Sequence, residues 1–347
     1  MTERQEDIIA TFVEAVDRII SLRPDVCIHA GDLFDSVRPL NRIMAVAGEQ
    51  LHRLAEEHGI PTVIIAGNHD APKQPHVGAA LDVYRQIDNL HIACSGRLER
   101  FEVGEASIFA LPHCLTGQML QEELQKCIPD DSARFNIMVG HGVAAGMPEF
   151  AMADLGEQEI AVAGLRGFDY VALGHFHNQC RVAENAWYCG STERLSQAER
   201  DAEKGFLEVG LGPLEVAFHP VAARQMVDLE VIDAAGKRGD ELAEVIRQQV
   251  EAADGSDKIV RLKVEGVTEE TLKTMPTEVI TELKQKSFAL DVSFRKAASE
   301  DSDEGFGRAA LGRLDQEWVK YLEAADLEGF DSDRIRRQGL TYLSDEQ

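Results

Sequence analysis

The sequence has no apolar run approaching the roughly 18 residues that a membrane helix needs. Its opening, Met1-Thr2-Glu3-Arg4-Gln5-Glu6-Asp7, is too polar for a secretory leader, so a cytoplasmic protein is expected. No C-x-x-C pair occurs among the cysteines Cys27, Cys94, Cys114, Cys127, Cys180 and Cys189. Several sit inside apolar stretches, which reads as buried reduced thiols and argues against a structural zinc knot. No G-x-x-x-x-G-K-[ST] loop is present, so nucleotide hydrolysis would have to belong to another chain. No repeat of solenoid period is found either. Basic residues are scarce, with 35 Lys+Arg against 61 Asp+Glu and a net charge of −26. Residues 1–221 and the remainder are both acidic. A phosphate backbone is repelled by such a surface unless metal ions or a partner provide local positive charge, which argues against a stand-alone sequence-specific DNA binder.

What the chain does have is length and pattern. Its 347 residues, 44% hydrophobic and 28% charged, suffice for one large domain and a smaller one. Ile8, Ile9, Phe12, Val16, Ile19 and Ile20 recur at helical spacing, and Pro24 closes that helix. A short strand is expected at 26–30, a helix with Ile43, Ala47, Leu51, Leu54 and Ala55 inward, then a strand at 62–66. Alternating segments at 107–111, 179–182, 205–210 and 214–221 predict further strands, many of them antiparallel. From about Gln225 the rhythm becomes strand (227–232), helix (241–250), strand (259–264), helix (278–286) and strand (289–294). The expected organisation is a domain at 1–222, an α/β unit at 225–297, an acidic linker at 298–307 and a helical segment at 308–347. Leu311, Leu314, Trp318, Tyr321 and Leu322 mark an amphipathic face in the last of these.

Four apolar strands each end in glycine followed by a side chain able to hold a metal: Gly31-Asp32, Gly67-Asn68-His69-Asp70, Gly140-His141 and Gly174-His175-Phe176-His177. In α/β sheets, ligands gather beyond the carboxyl ends of strands, so these loops are expected to converge. A donor set of Asp32, Asn68, His141, His175 and His177, with no thiolate, suits manganese, iron or zinc and not calcium. Two divalent ions about 3.5–4 Å apart can hold both the attacking water and the phosphoryl oxygens of a phosphodiester. Asp32 is the expected bridging carboxylate. His69, beside Asn68, is expected to serve the leaving group, with Asp35 holding its imidazole. Each fragment alone is weak, because Gly-Asp and Gly-Asn-His also occur in ordinary turns. Their joint occurrence in order is the strong signal. Of the other histidines, only His113, after Leu111-Pro112, stands out from packing or solvated positions.

In these four motifs the chain resembles the calcineurin-like metallophosphoesterase superfamily. Within it, Ala30-Gly31-Asp32-Leu33-Phe34-Asp35 with Arg38-Pro39, then Gly190-Ser191-Thr192-Glu193-Arg194 and Lys204-Gly205-Phe206, resemble the SbcD-type nucleases of DNA double-strand-break repair. The resemblance covers roughly residues 4–221. It implies a four-layer α/β/β/α sandwich with a smaller α/β capping domain and a C-terminal helix. It also implies manganese-dependent exonuclease and endonuclease activity on DNA ends, a homodimer, and a complex with an SbcC-like SMC ATPase. The helix around Trp318 would either dock on that ATPase or cover an apolar patch of its own chain.

One departure stands out. The superfamily's first motif, D-x-H, would precede the first helix, and this sequence begins almost at that helix. The expectation is a mis-set start codon or a fragment, since the first metal would otherwise keep only Asp32 and His177 from the protein. Two other readings stay open. One is a cyclic-nucleotide or small-molecule phosphodiesterase, which would need neither capping domain nor partner helix. The other is a catalytically impaired scaffold with one metal site incomplete.

Overall fold

The computed structural model describes residues 3–74, 77–145 and 158–296, together with residue 336. The chain divides into two units. The first takes in Met1–Glu230, Arg247–Leu262 and Thr277–Val292, and the second takes in Val231–Ile246, Lys263–Pro276 and the described residues from Ser293 onward.

In the first unit, the apolar period noted above forms helix α1 (Glu3–Leu22), burying Ala15 and Val16. Its end is set by the backbone. Arg23 adopts a left-handed φ of 52° and donates its N–H back to Ile19, and Pro24 then blocks continuation. Strands β1 (Cys27–His29) and β2 (Thr62–Ile65), with helix α2 (Asn41–His52) between them, are followed by β3 (Leu90–Ala93). The three strands form a parallel sheet in that order. Alternation along β2 points successive side chains to opposite faces. Ile64 packs with Ala47 and Leu51 of α2, while Val63 and Ile65 face the other way.

The partners on that other face belong to a second, six-stranded sheet. Its strands are β4 (Glu99–Val103), β5 (Ala106–Leu111), β6 (Phe135–His141), β9 (Tyr170–Gly174), β10 (Cys180–Arg181) and β11 (Ala186–Tyr188), in the order β10-β11-β9-β6-β5-β4. Among the described residues, the intervening β7 (Val143–Ala144) and β8 (Glu159–Ile160) pair only with each other. Ile108, Ala110, Ile137 and Val139 meet Val63 and Ile65 between the sheets. The outer face, with Phe109, Leu111, Met138 and Leu173, is covered by Leu120 of helix α3 (Gly117–Leu124). Ile64, Ile65 and Ile108 are completely buried. Each such side chain stabilises the fold by roughly 1.5–3 kcal/mol relative to exposure. A hairpin of β12 (Gly205–Leu211) and β13 (Leu214–Pro220) follows.

The mixed α/β class expected from the sequence is what the chain adopts. One expected strand is divided. Residues 227–232 form β14 (Met226–Asp228), paired in the first unit with the start of β16 (Ile259–Val267), and β15 (Ile232–Asp233), paired in the second unit with its end. Asp228 pairs with Arg261 and Ile232 with Val264, so one strand spends a residue more than the other over this stretch. An unmatched residue interrupts a ladder as a bulge does. Helices α4 (Gly239–Ala252), α5 (Glu269–Thr274) and α6 (Thr277–Lys286) and strand β17 (Ala289–Lys296) complete the described chain. The expected linker at 298–307 and the amphipathic face around Trp318 lie outside the described residues. Among the described residues, no helix is long and apolar enough to cross a membrane.

Candidate metal centre

β1 and β2 run parallel in one sheet, and β6 and β9 run parallel in the other. The loops leaving their carboxyl ends meet across the space between the sheets. Asp32, His141 and His175 each offer a ligand atom, and the three atoms lie within 4.8 Å of one another. Asn68 joins them, its Oδ1 standing 2.9 Å from His141 Nε2 and 3.2 Å from His175 Nδ1. The two imidazoles stand edge to face, with ring centres 5.4 Å apart.

Glycine makes this approach feasible. Gly31 has a φ of 100°, and a Cβ there would run into His141 Nδ1. A Cβ on Gly174 would strike the carbonyl oxygen of Ala30 and come within 2.9 Å of the same nitrogen. Both positions need bare backbone. Two site residues themselves carry left-handed backbone, Asp32 with φ 56° and His175 with φ 103°.

The hydrogen bonds show which atoms the centre turns inward. His141, 2% exposed, donates Nδ1–H to the carbonyl of Ala30 at 2.7 Å. A carbonyl can only accept, so a neutral ring presents the lone pair of Nε2 inward. That lone pair faces Asp32 Oδ2 at 3.2 Å and Asn68 Oδ1 at 2.9 Å. Three electron-rich atoms at such distances repel one another unless a proton or cation lies among them. The donor set of one carboxylate, one amide oxygen and two imidazoles therefore fits a divalent ion of borderline hardness. When bound, such an ion supplies Lewis acidity toward a phosphate ester.

The surroundings prepare the carboxylate. Burial pushes the Asp32 carboxyl up, but when the cation among these atoms is a proton on His141 Nε2, that hydrogen bond and charge, with the N–H of His69 2.9 Å from Oδ1, outweigh burial and hold the pKa at about 2. Asp70 is wholly buried and accepts from Gly67 N–H at 2.7 Å and Phe34 N–H at 3.3 Å. It thereby ties the loop after β1 to the loop after β2. Burial raises its pKa to about 6.

The remaining expected residues lie around this cluster. His177 stands outside it: its side chain is 40% exposed, and its Nδ1 is 3.2 Å from Glu199 Oε1. His69 is half exposed, and its Nδ1 lies 3.2 Å from the main-chain carbonyl of Asp35 and 3.5 Å from the carboxylate. The closer acceptor is thus the backbone of Asp35. His113 shares the neighbourhood, and burial above all lowers its pKa to about 4. Lys73 places its ammonium 2.5 Å from the carbonyl of Asn68. The sequence pattern did not single out Glu199, Lys73 or the bracing role of Asp70. Asp70 stood in plain view within Gly67-Asn68-His69-Asp70, whereas no spacing rule links Glu199 to a histidine 22 residues earlier.

Sequence relatives of the chain carry DNA-repair names. The chain is 29% identical over 294 residues to the DNA double-strand break repair protein Mre11 of Haloferax volcanii, covering 83% of this chain and 61% of that protein. It is 30% identical over 245 residues to the protein of that name from Methanococcus maripaludis, covering 66% of this chain and 63% of the relative. With that of Sulfurisphaera tokodaii it shares 28% over 293 residues, covering 80% and 70% respectively. The chain thus spans less than two thirds of the first two relatives. The family described as calcineurin-like phosphoesterase matches residues 5–179, which contain every residue of the cluster. With that match and a donor set suited to a divalent metal, the chain belongs to the calcineurin-like phosphoesterase family.

Proposed function

We propose that this chain is the nuclease subunit of a DNA double-strand-break repair complex, hydrolysing phosphodiester bonds at DNA ends by exonuclease and endonuclease action. The observation that carries the reading is the convergence of Asp32, Asn68, His141 and His175 from four strand ends in two sheets. Relatives with repair names support the choice of DNA. Two divalent ions, manganese by preference, would be held by these residues and by His177, with Asp32 between them. His69 would serve the leaving oxygen as proton donor or charge stabiliser, oriented by Asp35. Around the site we propose the four-layer α/β/β/α sandwich, with residues 225–297 as a capping domain.

The net charge of −26 shapes the rest of the proposal. So acidic a surface gains little from counterion release at phosphates. We therefore assign much of the grip on DNA to an SbcC-like SMC ATPase and to a second copy of the chain, in a cytoplasmic complex. The same acidity favours, as the second reading, a phosphodiesterase acting on small phosphodiesters unaided.

The test is hydrolysis by the purified chain with manganese, alone and with an SbcC-type ATPase. End-labelled linear duplex is compared with bis(p-nitrophenyl) phosphate and cyclic nucleotides. Release of nucleotides from DNA ends that rises with the ATPase supports the nuclease. Turnover of small diesters with DNA ends untouched under both conditions supports the second reading. Manganese binding with no hydrolysis of any substrate favours the scaffold.

A further inference from the structure

Behind His177 lies a buried ion pair that the expected chemistry does not use. Glu199 is nearly buried, its side chain 6% exposed, and Lys204 is completely buried. The Lys204 ammonium lies 2.5 Å from Glu199 Oε2, 2.7 Å from the carbonyl of His177 and 3.0 Å from Ser191 Oγ. Glu199 Oε1 in turn faces His177 Nδ1 at 3.2 Å and accepts from the N–H and hydroxyl of Ser196 at 3.1 and 2.9 Å. Removing two charges from water is costly unless their hydrogen bonds are filled, and here each is surrounded by partners. Two of these contacts end on His177 itself, the ammonium on its carbonyl and the carboxylate on its ring.

We propose that Glu199, braced by Lys204, is a positioning residue for His177, accepting its Nδ1–H and so turning the Nε2 lone pair outward as the metal-binding atom. A carboxylate oxygen can only accept, so the neutral ring beside it must carry its proton on Nδ1. Lys204 holds the histidine main chain and the carboxylate with one ammonium, which fixes backbone and side chain together. Carboxylates in this role behind metal-binding imidazoles set tautomer and ring orientation. The inference rests on the reading of His177 as a ligand, and the experiment separates the two.

The tautomer of His177 is read by ¹⁵N-detected NMR on the full chain without metal, at a pH where the ring is neutral, and zinc is then titrated in as a diamagnetic probe. Wild type is expected as the Nδ1–H form. In Glu199→Gln the Lys204 ammonium claims the amide oxygen, because charge-assisted hydrogen bonds are the stronger ones. The amide NH2 is then left facing the imidazole, and the ring is expected to reverse to the Nε2–H form. Zinc affinity at His177 should fall about 10- to 100-fold, and Glu199→Asp should recover part of it. A wild-type ring in the Nε2–H form overturns the proposal, and needs no variant to fold. So does a Glu199→Gln protein that keeps both tautomer and zinc affinity. A tautomer that reverses while zinc moves the His177 ring in neither protein upholds the positioning contact and removes His177 from the ligand set.

Discussion

The imidazole of His141 is anchored by the carbonyl of Ala30, 2.7 Å from its Nδ1 and 111 residues away in the chain. That bond joins the end of β6 in one sheet to the end of β1 in the other. It decides which nitrogen of His141 is free, and so which atom meets Asp32 and Asn68.

Because the residues around this anchor differ in what they touch, their substitutions should separate. Asp32→Ala removes the carboxylate facing His141, and manganese affinity by calorimetry should fall at least about 100-fold. His69→Ala keeps the main-chain N–H that supports Asp32, so metal binding should survive while kcat drops roughly 10²- to 10⁴-fold. Asp35→Ala should cost little, about threefold or less, since its carbonyl is the nearer acceptor for His69. Equal metal loss in the Asp32 and His69 variants would contradict this separation.

Gly31→Ala should damage the centre while leaving every ligand residue in the sequence. The added methyl would occupy the space of His141 Nδ1, on backbone that L side chains rarely adopt. Strain of this kind costs on the order of 1–3 kcal/mol, with more where atoms overlap. Thermal unfolding should move down by about 2–4 °C, and manganese affinity should fall with it. A variant with wild-type melting and wild-type affinity would show that the close approach is absent.

Acid sensitivity should be traceable to Asp7. Its carboxyl is held below the usual 3.8, first by hydrogen bonds from Arg224, at 2.6 and 2.5 Å, and then by their charge against an opposing effect of burial. A carboxylate whose folded pKa is depressed adds stability above its unfolded pKa and loses it as pH falls toward the folded one. Asp7→Asn should therefore melt lower than wild type at pH 7, with the gap closing below about pH 4. A gap that is constant from pH 7 to pH 3 would argue that the pair contributes no pH dependence.

Affinity for DNA should expose the charge problem. At roughly 150 mM salt the isolated chain should saturate labelled duplex, in fluorescence anisotropy, only above about 10 μM. Tight binding that resists salt, by the chain alone, would mean that local positive charge outweighs a net charge of −26.

Much of the centre was legible in the sequence because each side chain follows a strand and a glycine, a local signature. Asp32, Asn68, His141 and His175 meet as their motifs imply. His177 shares the last motif yet faces Glu199, because a two-residue offset on a turning loop does not fix direction. Strands β3 and β4 and helix α3 went unread. They are short, and their apolar residues, such as Leu90 and Ile92 or Leu120, are too few to establish a period. The split of the strand expected at 227–232 depends on pairing with residues 259–265, about thirty positions later, which no window along the chain reveals. Glu199 and Lys204 are in the same position, their role arising only once the chain has folded back on His177.

The cluster sits on the seam between two stacked sheets, with atoms from both sides interleaved within a few ångströms. Sliding one sheet past the other by a single residue's rise, about 3.3 Å, would part His141 and His175 from Asp32 and Asn68 while leaving each sheet's own ladder whole. The pocket is thus a gauge of shear. Damage far away in the apolar filling between the layers should blunt the chemistry well before circular dichroism registers any change.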